Sequence, residues 1–255
     1  MDTFDAADVS PHAVASYDSA ASAHGIAVIA ERAGLHVTVR PDASFRRPPG
    51  VVVHRARLGD GDVVPLRSGS LATTPLRTAL DLMRSRPLRE GLVVADSVLA
   101  RGLVRKRTLQ AAAAALQGAG SGRAREAAGL ADKGGQSPFE TLTRFGVLKA
   151  GLGPVMTQVR FGPHDHPFDL YLHWAGVLIE CDGFEFHSSR SAFRADRAYG
   201  NKIAAERRLR LVRLVWEDVW PGDDAAIATI RAAALQGTGN RVRLMRRRAS
   251  TNPGS

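Results

Sequence analysis

The stretch Phe168-Asp169-Leu170-Tyr171-Leu172, followed by Val177-Leu178-Ile179-Glu180-Cys181-Asp182-Gly183-Phe184-Glu185-Phe186-His187, decides how the second half of this chain folds. Both runs alternate with period two, as strands do, and Ala175-Gly176 between them reads as a tight turn. In the second strand Val177, Ile179 and Cys181 point to one face, and Leu178, Glu180 and Asp182 to the other. Two carboxylates thus leave one face of an otherwise apolar strand. A third, Asp169, sits on the neighbouring strand, and His187 follows shortly after Gly183. Ionised carboxylates gathered on an apolar sheet repel one another and resist desolvation, so a cation or a basic partner must compensate them. Oxygen ligands with an imidazole nearby suit a hard divalent ion, Mg²⁺ or Mn²⁺. The expected chemistry is metal-dependent cleavage of a phosphodiester.

Working outward, Ser137-Pro138-Phe139-Glu140 opens a helix. Ser137 stands at the cap, Pro138 in the first turn, and Glu140 three residues after the cap, the spacing of a capping box. Met156 to Phe161 is strand-like and precedes the two acidic strands. Arg190 to Arg208 has helical length and spacing, Leu211 to Val215 is a strand, and a last helix runs from Asp223 or Asp224 to about Leu235. The expected order is αβββαβα over residues 137–236. A basic, disordered tail is expected at 237–255, with Arg241, Arg243, Arg246, Arg247 and Arg248.

The first half reads as a smaller α+β domain over residues 1–133. Residues up to about Ser10 are polar and expected to be loose. Val14 to Gly25 and Ile26 to Ala33 read as two short helices, closed by Gly25 and Gly34. Leu35 to Arg40 and Val51 to His54 read as strands, and Pro65 puts the Val63 to Leu66 strand at a sheet edge. Thr74 is a cap and Pro75 fits the first helical position of the helix that follows. Further helices are expected over Leu92–Ala100, Thr108–Leu116 and Arg123–Ala131. The breaks at residues 117–122 and 133–136 are glycine-rich, and the second is the expected domain boundary.

The chain has 255 residues, enough for one large domain or two modest ones, and at 44% hydrophobic and 24% charged its composition is that of a soluble globular protein. Its formal net charge is +10, and arginine greatly outnumbers lysine. That balance favours polyanionic partners, since the planar guanidinium binds two phosphate oxygens at once. A genome rich in G and C would enrich arginine and alanine too. The one cysteine, Cys181, leaves no disulfide within the chain. With no signal-like start and no apolar run of membrane-spanning length, the expected location is the cytoplasm, away from membranes.

The arrangement resembles the PD-(D/E)XK nuclease superfamily, and more closely its branch related to very-short-patch repair endonucleases. The resemblance spans about Ser137 to Leu235. It rests on Ser137-Pro138-Phe139-Glu140, Gln158, Asp169, Glu180-Cys181-Asp182-Gly183, His187, Asp196-Arg197 and the Arg213 strand. Val37-Thr38-Val39, the Val51 to His54 strand and Thr74-Pro75-Leu76-Arg77-Thr78-Ala79-Leu80-Asp81-Leu82 resemble an abortive-infection antitoxin-like region. The chain is too short at its start for the winged helix that usually opens that region.

The resemblance implies a restriction-endonuclease-like C-terminal domain and a DNA endonuclease. It also implies a metal site of Asp169, Glu180 and the Cys181 carbonyl. Asp182 stands where the superfamily's lysine would be, and His187 matches a histidine that takes over proton transfer in the repair-type branch. Lys202 is a candidate for a migrated lysine. Glu140 either caps its helix or supports the metal. Arg190, Arg194 and Arg197 share a helix face with Asn201; with Lys202 they are candidate contacts to backbone phosphates, Arg197 alternatively neutralises the carboxylates, and a solvated helix face is the plainer reading. A DNA-binding or antitoxin-like regulatory protein without catalysis is the alternative to an enzyme, and a protein partner for the N-terminal region is compatible with both.

Overall fold

The computed structural model describes residues 13–29, 32–162, 166–182 and 190–236; for 190–196 only the helical backbone is described. His187, the residues before Ala13 and the basic tail at 237–255 lie outside the described residues. The protein is α/β, with two mixed sheets. Chain contacts divide it into two compact units between Pro138 and Phe139.

In the first unit the strands are β1 (Val14–Ala15), β2 (Leu35–Val39), β3 (Val51–Arg55), β4 (Val63–Pro65) and β5 (Leu71–Thr73). Their order across the sheet is β3-β2-β1-β5-β4. The β1–β5 and β2–β3 pairs are parallel, the β1–β2 and β4–β5 pairs antiparallel. Pro65 is on the edge strand, where its missing N–H breaks no ladder. Helix α1 (Tyr17–His24) ends at Gly25, whose left-handed φ of 66° lets the chain reverse.

The expected helix over Ile26 to Ala33 does not form among the described residues. Ile26 and Ile29 are buried from an irregular segment, and the Ala27 N–H donates to Ser97 Oγ at 2.9 Å in place of a helical bond. Helices α2 (Pro75–Ser85), α3 (Leu88–Ala100), α4 (Lys106–Ala115) and α5 (Ser121–Leu130) follow. Thr74 Oγ1 accepts from the Arg77 N–H at 3.3 Å, with Pro75 opening the helix. Thr74→Ala is expected to cost about 1 kcal/mol, read from the urea midpoint.

One face of this sheet is polar although buried. His36 Nδ1 lies 3.1 Å from His54 Nε2, the Tyr17 ring stacks on His54, and the Asp18 carboxylate is paired with Arg86 beneath them. The opposite face buries Val37, Val39, Val51 and Ala72.

The second unit runs α6 (Pro138–Lys149), β6 (Met156–Val159), β7 (Phe168–Leu172), β8 (Val177–Cys181), α7 (Arg190–Glu206), β9 (Arg210–Leu214) and α8 (224–236). The sheet order is β6-β7-β8-β9, antiparallel except for the parallel β8–β9 pair, which α7 connects. A four-residue turn at 173–176 joins β7 to β8; its Gly176 has φ 69°, and the Gly176 N–H donates to the Leu172 carbonyl at 2.8 Å. Phe168, Leu170, Leu172, Leu178 and Ile179 are fully buried, each stabilising the fold by roughly 1.5–3 kcal/mol.

The sheet lies between two helical layers. On one side Phe168, Tyr171 and Leu178 pack with Ile203 of α7. On the other, Cys181 Sγ lies 3.4 Å from Thr143 Oγ1 of α6. Gly146 of α6 admits close neighbours: a Cβ there would stand 2.5 Å from Asp223 Oδ2 and 3.0 Å from Ile227.

Among the described residues, no helix is long and apolar enough to cross a membrane.

Candidate functional site

The acidic stretch and its neighbours form one rung across the second sheet. The β7–β8 pairing runs from Leu172–Val177 to Leu170–Ile179, and Asp169 and Glu180 are the next residues along each strand. Thr157 against Leu170 and Val159 against Phe168 bring Gln158 opposite Asp169, and Glu180 pairs with Arg213 on β9. Gln158, Asp169, Glu180 and Arg213 thus come one from each strand, with Glu180 and Arg213 as ladder partners and Gln158 in a left-handed break of the β6 ladder. Glu180 shares its face with Leu178, as the period-two alternation expects.

Each carboxylate on or beside this rung has a distinct partner. Asp169 Oδ2 accepts from the Cys181 backbone N–H at 2.8 Å. Glu140 is buried on α6, and its Oε2 accepts from Gln158 Nε2 at 2.9 Å. That bond ties Glu140 to the rung rather than leaving it only a helix-opening role. Gln158 reaches it from a left-handed backbone (φ 51°), which costs a non-glycine residue on the order of 1–3 kcal/mol.

Glu180 Oε2 accepts from Arg213 Nε at 3.0 Å. Arg213 also donates to Asn201 Oδ1 at 2.9 Å and to the Arg197 carbonyl at 3.3 Å, so two donors of its fork are anchored on α7. Asp182 Oδ2 accepts from an Arg197 terminal nitrogen at 2.6 Å and lies 4.0 Å from Arg213 Nε. Gly200 makes room for this: a Cβ there would stand 3.1 Å from both Glu180 Oε1 and an Arg213 terminal nitrogen.

The electrostatics are uneven along the rung. Burial is the main reason the Asp169 carboxyl is pushed up to about 7; the charges of Glu140, Glu180 and Asp182 add to this, and the Cys181 N–H opposes it. Glu180 is also raised, first by burial, with Arg213 pulling it back. Burial holds the Cys181 thiol well above the ordinary thiol range, which makes it an inert core group rather than a nucleophile.

The structure thus brings together Asp169, Glu180, Asp182, Glu140 and Arg197 of the candidate residues. Lys202 is apart from them: its side chain is 70% exposed and lies 3.9 Å from Glu206, one turn on. Arg190 and Arg194 are on α7, but only their backbone is described, and His187 lies outside the described residues. Sequence reasoning did not foresee the Glu180–Arg213 pair, the Gln158–Glu140 bond or the role of Gly200. For the first, Arg213 is flanked by Val212 and Leu214, but β9 also carries Arg210 and is only partly buried, so nothing local tells which charge meets Glu180.

No protein-family model matches the chain, and no curated protein matches it closely enough in sequence to assign it.

In kind, the donor set suits a hard divalent ion: two carboxylates at one rung and the Cys181 carbonyl supply oxygen only. The half-buried Asp169 carboxyl, with Glu140, Glu180 and Asp182 as negative neighbours, is where a cation would offset charge. With Glu180 and Asp182 turned to their arginines, no group of three or more His, Cys, Asp or Glu side chains among the described residues is placed to hold a metal.

Proposed function

We propose that this protein is a divalent-metal-dependent DNA endonuclease whose second unit has a restriction-endonuclease-like fold. The observation that carries the reading is the half-buried Asp169 carboxyl, set on β7 near Glu140, Glu180 and Asp182 and shifted to about 7. A carboxyl kept at this cost to stability suggests a functional role rather than a packing one. The order αβββαβα and the antiparallel–antiparallel–parallel sheet agree with the fold expected from the resemblance.

In this reading Asp169, Glu180 and the Cys181 carbonyl would hold Mg²⁺ or Mn²⁺ once Glu180 turned from Arg213. The ion supplies a Lewis acid that offsets charge on the scissile phosphate and makes water a better nucleophile. Glu140, through Gln158, fixes one end of the rung, and Arg213 positions Glu180. Arginines of α7 hold the nucleic-acid backbone, and His187 moves the proton. Wild type should nick or cut DNA in Mg²⁺ or Mn²⁺ when duplex, mismatched and single-stranded substrates are compared. Asp169→Ala should lose about 10²-fold or more of that activity. Equal behaviour of the two proteins would remove the enzymatic claim.

A second reading, nucleic-acid binding without catalysis, is favoured by Glu180 and Asp182 both being held by arginines, with Asp182 where a lysine is expected. It requires binding that persists in EDTA, weakens steeply with salt, and is accompanied by no cleavage.

A further inference from the structure

The first unit carries a cluster of arginines that are held in place without being neutralised. They surround the glycine-rich break at residues 117–122, which joins α4 to α5. Arg84, in the last turn of α2, donates through Nε to the Ala119 carbonyl at 3.1 Å. One of its terminal nitrogens donates to the Ala119 and Gln117 carbonyls at 2.9 and 3.3 Å. A terminal nitrogen of Arg123 donates to the Arg84 carbonyl at 2.8 Å, and one of Arg125 to the Leu116 carbonyl at 3.0 Å. Gly120, at φ 76°, keeps the loop against α2, since a Cβ there would collide with the Arg84 carbonyl. The loop is a fixed platform rather than the flexible linker its glycines suggest.

Carbonyls fix these three guanidiniums but leave their charge standing. Among the described residues none of the three makes an ion pair, and Glu126, beside Arg125 in the chain, is not bonded to it. Asp81, which senses the Arg84 charge, is itself bonded to Arg77 at 2.7 Å. Other arginines of the same unit differ: Arg40 is paired with Asp42, Arg77 with Asp62 and Asp81, and Arg86 with Asp18 and Glu90. Each fork of the cluster also keeps one terminal nitrogen without a protein partner among the described residues. A guanidinium already held gives up less side-chain freedom when an anion arrives. No large hydrophobic side chain of residues 116–125 is exposed, so the loop has nothing to insert into a lipid bilayer.

We propose that Arg84, Arg123 and Arg125 form a platform on the first unit that binds the phosphates of a nucleic-acid backbone. Each fork matches two oxygens of a phosphodiester, and several fixed forks around one loop suit a chain of phosphates. Such contacts position the backbone and read no sequence. The platform needs no metal ion and does not depend on whether the carboxylates of the second unit support cleavage.

The test is fluorescence anisotropy of the full chain with short labelled DNA duplexes in EDTA, over a series of NaCl concentrations. Arg123→Gln and Arg125→Gln should each weaken binding several-fold. Each should also flatten the slope of log affinity against log salt by about 0.9, the loss of one phosphate contact, equally for duplexes of different sequence. Arg123→Lys keeps the charge and should retain most of the wild-type slope. Arg40→Gln removes the same charge from an arginine already paired with Asp42, and should leave the slope unchanged. Unaltered slopes in both glutamine variants would overturn the proposal. So would an Arg40→Gln protein whose slope flattens as much as theirs, which would leave only diffuse charge. An Arg123→Lys protein as weak as Arg123→Gln would show a structural role instead. Duplex binding that ignores these substitutions, while sedimentation with phosphatidylserine vesicles responds to them, would assign the platform to a lipid surface and overturn the nucleic-acid reading.

Discussion

Asp169→Asn is expected to melt at a higher temperature than the wild type at pH 8, and at nearly the same temperature at pH 4. The sign follows from the carboxyl's shift from 3.8 to about 7 on folding. Between those two values the folded chain holds a proton that the unfolded chain has released, so this group's contribution to stability falls as pH rises. Above pH 7 the penalty is complete, on the order of 4 kcal/mol. Asparagine carries no charge, and its side-chain oxygen can still accept the Cys181 N–H, so it escapes the penalty. The gain should appear as a rise of roughly 5–10 °C in calorimetry at pH 8, shrinking through pH 6. Adding Mg²⁺ should raise the wild-type melting temperature at pH 8 and leave the variant's unmoved, since only the wild type keeps the carboxylate. A residue that weakens the fold while serving the reaction leaves this opposite signature in stability and activity.

The second large effect is expected in the first unit, from Arg86→Met. Arg86 is 2% exposed; it is paired with Asp18 and donates to the Ile29 carbonyl at 2.9 Å and to Glu90 at 3.3 Å. Removing the guanidinium leaves the Asp18 carboxylate buried without its main counter-charge, a loss of about 3–5 kcal/mol. Set against a typical total of 5–15 kcal/mol, that would leave the unit barely folded at 37 °C. Asp18→Leu combined with Arg86→Met should recover more than half of the loss, because the stranded charge goes with its partner. Urea denaturation of the two single variants and the double variant reads the coupling directly. A double variant as unstable as the sum of the singles would show that the pair is not what holds these residues together.

Much of the second unit was legible in the sequence because its elements announce themselves by period. The β7 and β8 strands alternate cleanly and form as strands, and the chain is α/β as expected. The first unit was harder to read. Strands β1 and β5 have two and three residues, too short for any alternation to show, yet they hold the centre of a five-stranded sheet. Ile26 and Ile29, three residues apart, imitate a helical stripe, but tertiary burial and a Ser97 hydroxyl satisfy that segment without a helix.

At the site, alternation placed Glu180 and Asp182 on one face and brought Asp169 alongside. It carried no sign of which cations would meet them. The Arg213–Glu180 pair depends on β9 lying parallel to β8 in one particular register, a long-range fact that no local window contains. The Gln158–Glu140 bond depends on a left-handed backbone that glutamine seldom adopts, so propensity argued against it.

The central claim is that Asp169 and Glu180 hold a divalent cation, and anomalous diffraction from crystals soaked in Mn²⁺ tests it most directly. One strong peak is expected between the two strands, with carboxylate oxygens of Asp169 and Glu180 and the Cys181 carbonyl at about 2.0–2.2 Å from it, the range for small divalent ions with oxygen ligands. Arg213 should then have moved off Glu180 Oε2 or share it with the ion. Crystals soaked to saturation that show no peak there, with Glu180 still on Arg213 and Asp182 still on Arg197, would contradict the account.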